Sequence, residues 1–187
     1  MPSPVADRTG LYGLLMARAG GLPNDDLFAR MLVSQTVGMG AFSPGLGLAP
    51  AEFAALMARH FPGFALSADL AVPAAEAARH AERDELLTLL REHCAGADDS
   101  ERWMAEIVTA ACMGGDHLWQ DLGLWSRVDL SRLMTQNFPA LAARNTRDMK
   151  WKKFLYKQLC EREGVVVCHS PSCEVCVDYA KCFGPEE

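Results

Sequence analysis

The 187-residue chain is short of positive charge. It has 18 Lys and Arg against 24 Asp and Glu, a net charge of −6. That balance argues against a protein whose main work is gripping nucleic acid by its phosphates. Several motifs are missing as well: the sequence holds no P-loop, no G-x-G-x-x-G, no G-x-S-x-G and no H-E-x-x-H. Nucleotide binding through those loops, acyl transfer at a nucleophile elbow and zinc proteolysis therefore lose their usual machinery. Nothing suggests turnover of an organic substrate, and the reading is of a carrier or donor, not an enzyme. No secretory signal is expected, since Asp7 precedes Arg8, a basic leader is lacking and Arg18 interrupts the apolar run. The uncharged stretch Met31 to Ala51 is long enough to cross a bilayer. It contains Gly38, Gly40, Gly45, Gly47, Pro44 and Pro50, which would leave backbone groups unpaired in lipid. It reads as a buried helix end followed by a loop. A soluble, cytoplasmic protein without membrane association is expected.

Hydrophobic residues make up 50% and charged residues 22%, an ordinary globular composition. The length is about that of one domain, able to bury about 70% of its unfolded surface. Helical periodicity dominates and predicts an all-α fold. Helices are expected at 11–19, from Asn24 or Asp25 to about 37, from Pro50 through Phe53, Leu56, Met57 and Phe61, and over 76–94. Asp98 with Glu101 resembles a capping box for a helix to about Met113. A short helix follows within 116–124, and Asp129 is a candidate cap for one reaching about Asn137. A last helix, capped by Asn145 or Asp148, runs to about Arg162 and stops at Gly164. Val165 to Val167 is the one strand-like run and is too short to found a sheet. The expectation is one domain, with a helical part over 1–163 and an irregular cysteine-rich segment over 164–187.

Seven cysteines are the count that stands out. Cys94, Cys112 and Cys160 are scattered, while Cys168, Cys173, Cys176 and Cys182 form a C-x4-C-x2-C-x5-C run. An odd number in a chain with a sufficient core does not suggest a disulfide framework, although a disulfide tail is the plainest alternative. Thiolates are soft ligands for zinc, copper(I) and iron–sulfur clusters. Structural zinc usually takes two short pairs divided by a longer spacer, and here only Cys173 and Cys176 make a C-x2-C pair. The first three cysteines match the start of the plant-type [2Fe–2S] pattern; the fourth departs from it, only six residues on. Spacing therefore favours an iron–sulfur cluster over zinc. Pro171 stiffens the first loop, and Ser170 and Ser172 offer hydroxyls near the sulfurs.

Three stretches together resemble the NifQ family. They are ACMGGDHLWQDLGL (111–124), ARNTRDMKWKKFLYKQLC (143–160) and the cysteine run ending in CFGPEE. The likeness is clear over 103–187 and weaker over the first half. It implies an iron–sulfur protein that carries a molybdenum–iron–sulfur cluster. Such a protein donates molybdenum for the nitrogenase iron–molybdenum cofactor, with the scaffold NifEN and NifH as partners and molybdate as the source. The family's cysteine motif falls on Cys168, Cys173, Cys176 and Cys182. A zinc-stabilised interaction module and a small electron carrier are the competing readings.

Other residues are candidates of lower rank. Cys160 and Cys112 are possible auxiliary ligands or buried thiols, and Cys94 is expected in the core. His169 directly follows a candidate ligand; a solvated loop histidine is equally consistent. His117 is expected to cap a helix before it binds metal. Trp103, Trp119 and Trp125 are expected in the core. Between Arg144 and Glu163 stand seven basic and three acidic residues, leaving the remainder at −10. Lys150, Lys153 and Lys157 make one stripe of that helix, opposite Trp151, Phe154, Leu155 and Leu159. The stripe suits molybdate, cluster charge or an acidic partner; a solvated helix face explains it equally.

Overall fold

The computed structural model describes residues 8–42, 45–64 and 80–163. The described residues are all-helical: α1 (Arg8–Met16), α2 (Asp25–Thr36), α3 (Pro50–His60), α4 (His80–Glu92), α5 (Ser100–Cys112), α6 (Leu118–Asp121), α7 (Arg127–Asn137), α8 (Pro139–Ala142) and α9 (Trp151–Glu163). None of these helices is long and apolar enough to cross a membrane. Met31 to Ser34 are buried at the end of α2, and a loop rich in left-handed glycines follows, as the composition of 31–51 predicts.

The helix α5 is the hub. It packs against α3, α4 and α6, while α1 lies on α2, α4 on α9, and α7 on both α6 and α8. Its Trp103, Met104, Ile107, Val108, Ala111 and Cys112 are all buried. So is Thr109, whose hydroxyl donates to the Ala105 carbonyl at 2.8 Å and so enters the core without an orphan. The start of α5 is fixed as expected, one residue later than the sequence suggests. Asp98 Oδ1 accepts the Ser100 N–H at 2.8 Å. Glu101 reaches back to the N–H groups of Gly96, Ala97 and Asp98 at 2.7–3.0 Å.

The starts of α1, α7 and α9 differ from expectation, α9 beginning at Trp151 and not after a cap at Asn145 or Asp148. The first helix begins at Arg8 and not at 11, and Arg8 donates to Ser34 Oγ at 3.4 Å. Asn24 occupies the cap position of α2 but makes no cap bond. Its amide is spent elsewhere, on Ser100 Oγ at 2.8 Å and in a reciprocal pair with the Asn137 amide at 2.7 and 3.0 Å. These contacts join α2, α5 and α7 through buried, paired amides. The cap of α7 is Ser126, whose hydroxyl oxygen accepts the Asp129 N–H at 3.2 Å, so Asp129 lies inside the first turn. Ser126 satisfies both roles, because its own O–H donates to the Asp129 carboxylate at 3.0 Å. The short α8 follows directly, with Pro139 in its first turn.

Before α9, Asn145 makes a local turn: its Oδ1 accepts the Met149 N–H at 2.8 Å and its Nδ2 donates to the Met149 carbonyl at 2.9 Å. Asp148 takes a left-handed φ of 48° there. The helix then buries Trp151, Phe154, Leu155, Tyr156 and Leu159. The expected strand-like run 165–167 and the cysteine segment 164–187 lie outside the described residues.

Candidate metal centre

Cys168, Cys173, Cys176, Cys182 and His169 lie outside the described residues, and what is described is the helix that leads to them. α9 is held at both ends. At its far end Arg162 makes two bonds to the Glu92 carboxylate of α4, at 2.8 and 3.0 Å. That pair is half exposed and lowers the Glu92 carboxyl below its ordinary value.

The near end is anchored by Lys152, whose side chain is 14% exposed. Its ammonium donates to the Asp121 carboxylate and to the Gly114 carbonyl at 2.9 Å. Asp121 is 4% exposed and also accepts the Asp116 N–H at 3.2 Å. Burial pushes its carboxyl above the usual range, and the Lys152 ammonium pulls against that. Gly114 has to be glycine: a Cβ there would stand 2.4 Å from the Asp121 carboxyl carbon. The Asp121 carbonyl accepts the Ala41 N–H at 2.9 Å. Gly40, with φ of 94°, allows that approach, since its Cβ direction points at the same oxygen from 3.1 Å.

Neither member of this pair belongs to the stripe of Lys150, Lys153 and Lys157, and within that stripe Lys157 faces Glu161 at 3.6 Å with both side chains half exposed. Lys152 heads the row 152, 155, 156, 159, spaced i, i+3, i+4, i+7, whose other members are all buried. A lysine at the head of an apolar row was the available signal.

Cys112 is buried beside this pair, and burial pushes its thiol up to about 12, with Lys152 opposing and Asp121 adding. Cys160 is half-buried on α9, eight residues beyond Lys152, or roughly 12 Å along the axis. Cys94 is half-buried with its thiol raised by burial, and packs against the core as expected. His117 is exposed at the cap position of α6, where Gln120 Oε1 accepts its backbone N–H at 3.3 Å. Trp103 is buried, and Trp119 and Trp125 pack against the core. Among the described residues no three His, Cys, Asp or Glu side chains gather to hold a metal ion.

The stretches that meet here, 112–121 and 150–163, overlap two of the three stretches that resemble the family. The NifQ family model matches residues 27–184, more than half of the chain. The chain belongs to the NifQ family. It is 48% identical to Protein NifQ of Azotobacter vinelandii over 168 residues, covering 84% of this chain and 86% of that one. Against Protein NifQ of Rhodobacter capsulatus it is 40% identical over 186 residues, 99% of this chain and 98% of the relative. Protein NifQ of Klebsiella pneumoniae is 35% identical over 172 residues, 87% and 99% of the two chains. No solved structure matches. The NifQ span includes the whole run from Cys168 to Cys182.

Proposed function

We propose that this NifQ-family chain holds an iron–sulfur cluster on Cys168, Cys173, Cys176 and Cys182. It receives molybdenum there, from molybdate, and donates it for assembly of the nitrogenase iron–molybdenum cofactor. NifEN and NifH are the partners this reading names. The observation that carries it is family membership over a span that includes the C-x4-C-x2-C-x5-C run. Four thiols within fifteen residues suit a sulfur-bridged iron cluster, whose metals take thiolate ligands. When bound, the cluster supplies sulfide and iron sites at which the molybdenum cargo is retained. The residues then have separate tasks. The four cysteines hold; α9 carries them; the helical body supplies a rigid base. No acid, base or nucleophile is required, which agrees with the lack of catalytic motifs.

The test is anaerobic purification of the full chain, with iron, sulfide, zinc and molybdenum measured on one sample. Iron and sulfide in proportion, with molybdenum that passes to an apo-scaffold, are expected. Stoichiometric zinc without iron would overturn the reading in favour of a structural module. Iron and sulfide without transferable molybdenum would overturn it in favour of an electron carrier.

A further inference from the structure

The donor role as stated makes no use of the buried ion pair between α6 and α9. Four pieces of chain converge on Asp121. Lys152 of α9 donates to its carboxylate, as does the Asp116 N–H of the turn after α5. Asp121 itself belongs to α6, and its carbonyl takes the Ala41 N–H from the loop after α2. Gly114 leaves the space the carboxylate fills, and its carbonyl is the second acceptor for Lys152 at 2.9 Å.

Such a pair is a poor means of gaining stability, because desolvating both charges offsets most of their attraction. What it supplies is direction. Apolar contacts along 155, 156 and 159 tolerate small slides and rotations of a helix. An ammonium shared between a fixed carboxylate and a fixed carbonyl tolerates far less of either. The helix so held is the one from which the chain passes, at residue 164, to the four cysteines.

We infer that Asp121 and Lys152 form a positioning clasp: they set the register and rotation of α9, and through it the point from which the cluster-binding run departs. The inference rests on the donor reading. Lys152 and Asp121 are positioning residues, acting through the helix and not on metal.

The full-length chain is loaded anaerobically with iron, sulfide and molybdate, and cluster loss to a chelator is timed. The variants are Lys152→Met, Lys152→Arg and the double Asp121→Asn with Lys152→Met, which leaves no buried charge unpaired. Asn137→Ala serves as a control, since it breaks the amide network with Asn24 and touches no member of the clasp. Helicity is checked by circular dichroism, and the loaded forms are compared by electron paramagnetic resonance. Expected are roughly tenfold faster loss of iron and molybdenum and an altered spectrum in Lys152→Met and in the double variant, the scale typical of disturbed metal surroundings. Lys152→Arg restores rate and spectrum, and Asn137→Ala keeps those of the wild type although its fold is weakened. Clasp variants with wild-type rate and spectrum overturn the inference alone. So does Asn137→Ala if it loses metal as fast as they do. A wild-type chain that takes up no iron overturns the donor reading and this inference with it.

Discussion

Removing the Lys152 ammonium leaves the Asp121 carboxylate, 4% exposed, with the Asp116 N–H still donating to it at 3.2 Å. A buried charge deprived of its partner costs about 3 kcal/mol, while removing both charges together is close to neutral. Lys152→Met should therefore destabilise by about 3 kcal/mol and the double variant with Asp121→Asn by no more than about 1 kcal/mol. Urea unfolding of the four corners of the cycle measures this, and strict additivity would refute it. A second residue, His60, is wholly buried, with Nδ1 2.6 Å from Asp25 Oδ1 and its ring edge-on to Phe28 and Trp103. Burial lowers its pKa from the ordinary 6.5, with Asp25 and Asp98 pulling the other way and Arg59 adding to the fall. The folded chain then binds fewer protons than the unfolded one just below 6.5. Stability is fully present above that pH and falls as the pH drops through it, with a slope that stays below the one-proton limit of about 1.4 kcal/mol per pH unit. Unfolding midpoints at pH 8 and pH 5.5 in wild type and His60→Asn check this; equal slopes would exclude His60 as the source. The sequence marks Lys152 only as a lysine heading an apolar row, and marks His60 not at all; neither partner is legible there. A buried charge is recognised by its partner, and Asp121 and Asp25 are brought to them only by the fold.

At the scale of elements the sequence was more legible, because apolar periodicity is a property of the segment itself. The helices α2, α3, α5, α7 and α9 fall close to where their apolar residues recur, and α5 is the case where the cap was legible too. Glu101 is 4% exposed and accepts three backbone N–H groups. Glu101→Ala should cost about 2–3 kcal/mol, since three backbone donors of the turn lose a buried, charged acceptor and water recovers only part of the loss. That is a Tm lower by roughly 5–10 °C in a chain of this size. A Tm within a degree of wild type would show that the turn finds other acceptors. Where the reading of caps failed, competition between neighbours was the cause. Asn24 has the chemistry of a cap but is drawn into the Asn137 and Ser100 network, and Ser126 outcompetes Asp129 for α7. The four-residue α8 is too short to carry a periodic signal, and Pro139 was its only mark.

For the molecule as a whole, the charge is divided: the stretch 144–163 is basic and the remainder acidic. The fold reduces that contrast without removing it. Lys152 is committed to Asp121, Arg162 to Glu92 and Lys157 to Glu161, so three of the basic side chains already face carboxylates. The Lys157 pair is half exposed and worth at most about 1 kcal/mol, so reversing that lysine endangers the fold little. Lys150 stands just before α9 and Lys153 in its first turn, and any attraction they exert acts near the start of the helix that leads to the cysteines. Joint reversal of Lys150, Lys153 and Lys157 to Glu changes the local charge by −6, more than its present +4. An anionic metal source or an acidic partner then meets repulsion where it met attraction. Molybdenum loading or transfer should slow about tenfold or more at low ionic strength, with the gap to wild type narrowing as salt shortens the screening length. The salt dependence is the decisive measurement, because a folding defect would persist at every ionic strength. Loading and transfer unchanged at low salt would reduce the lysine stripe to a solvated face.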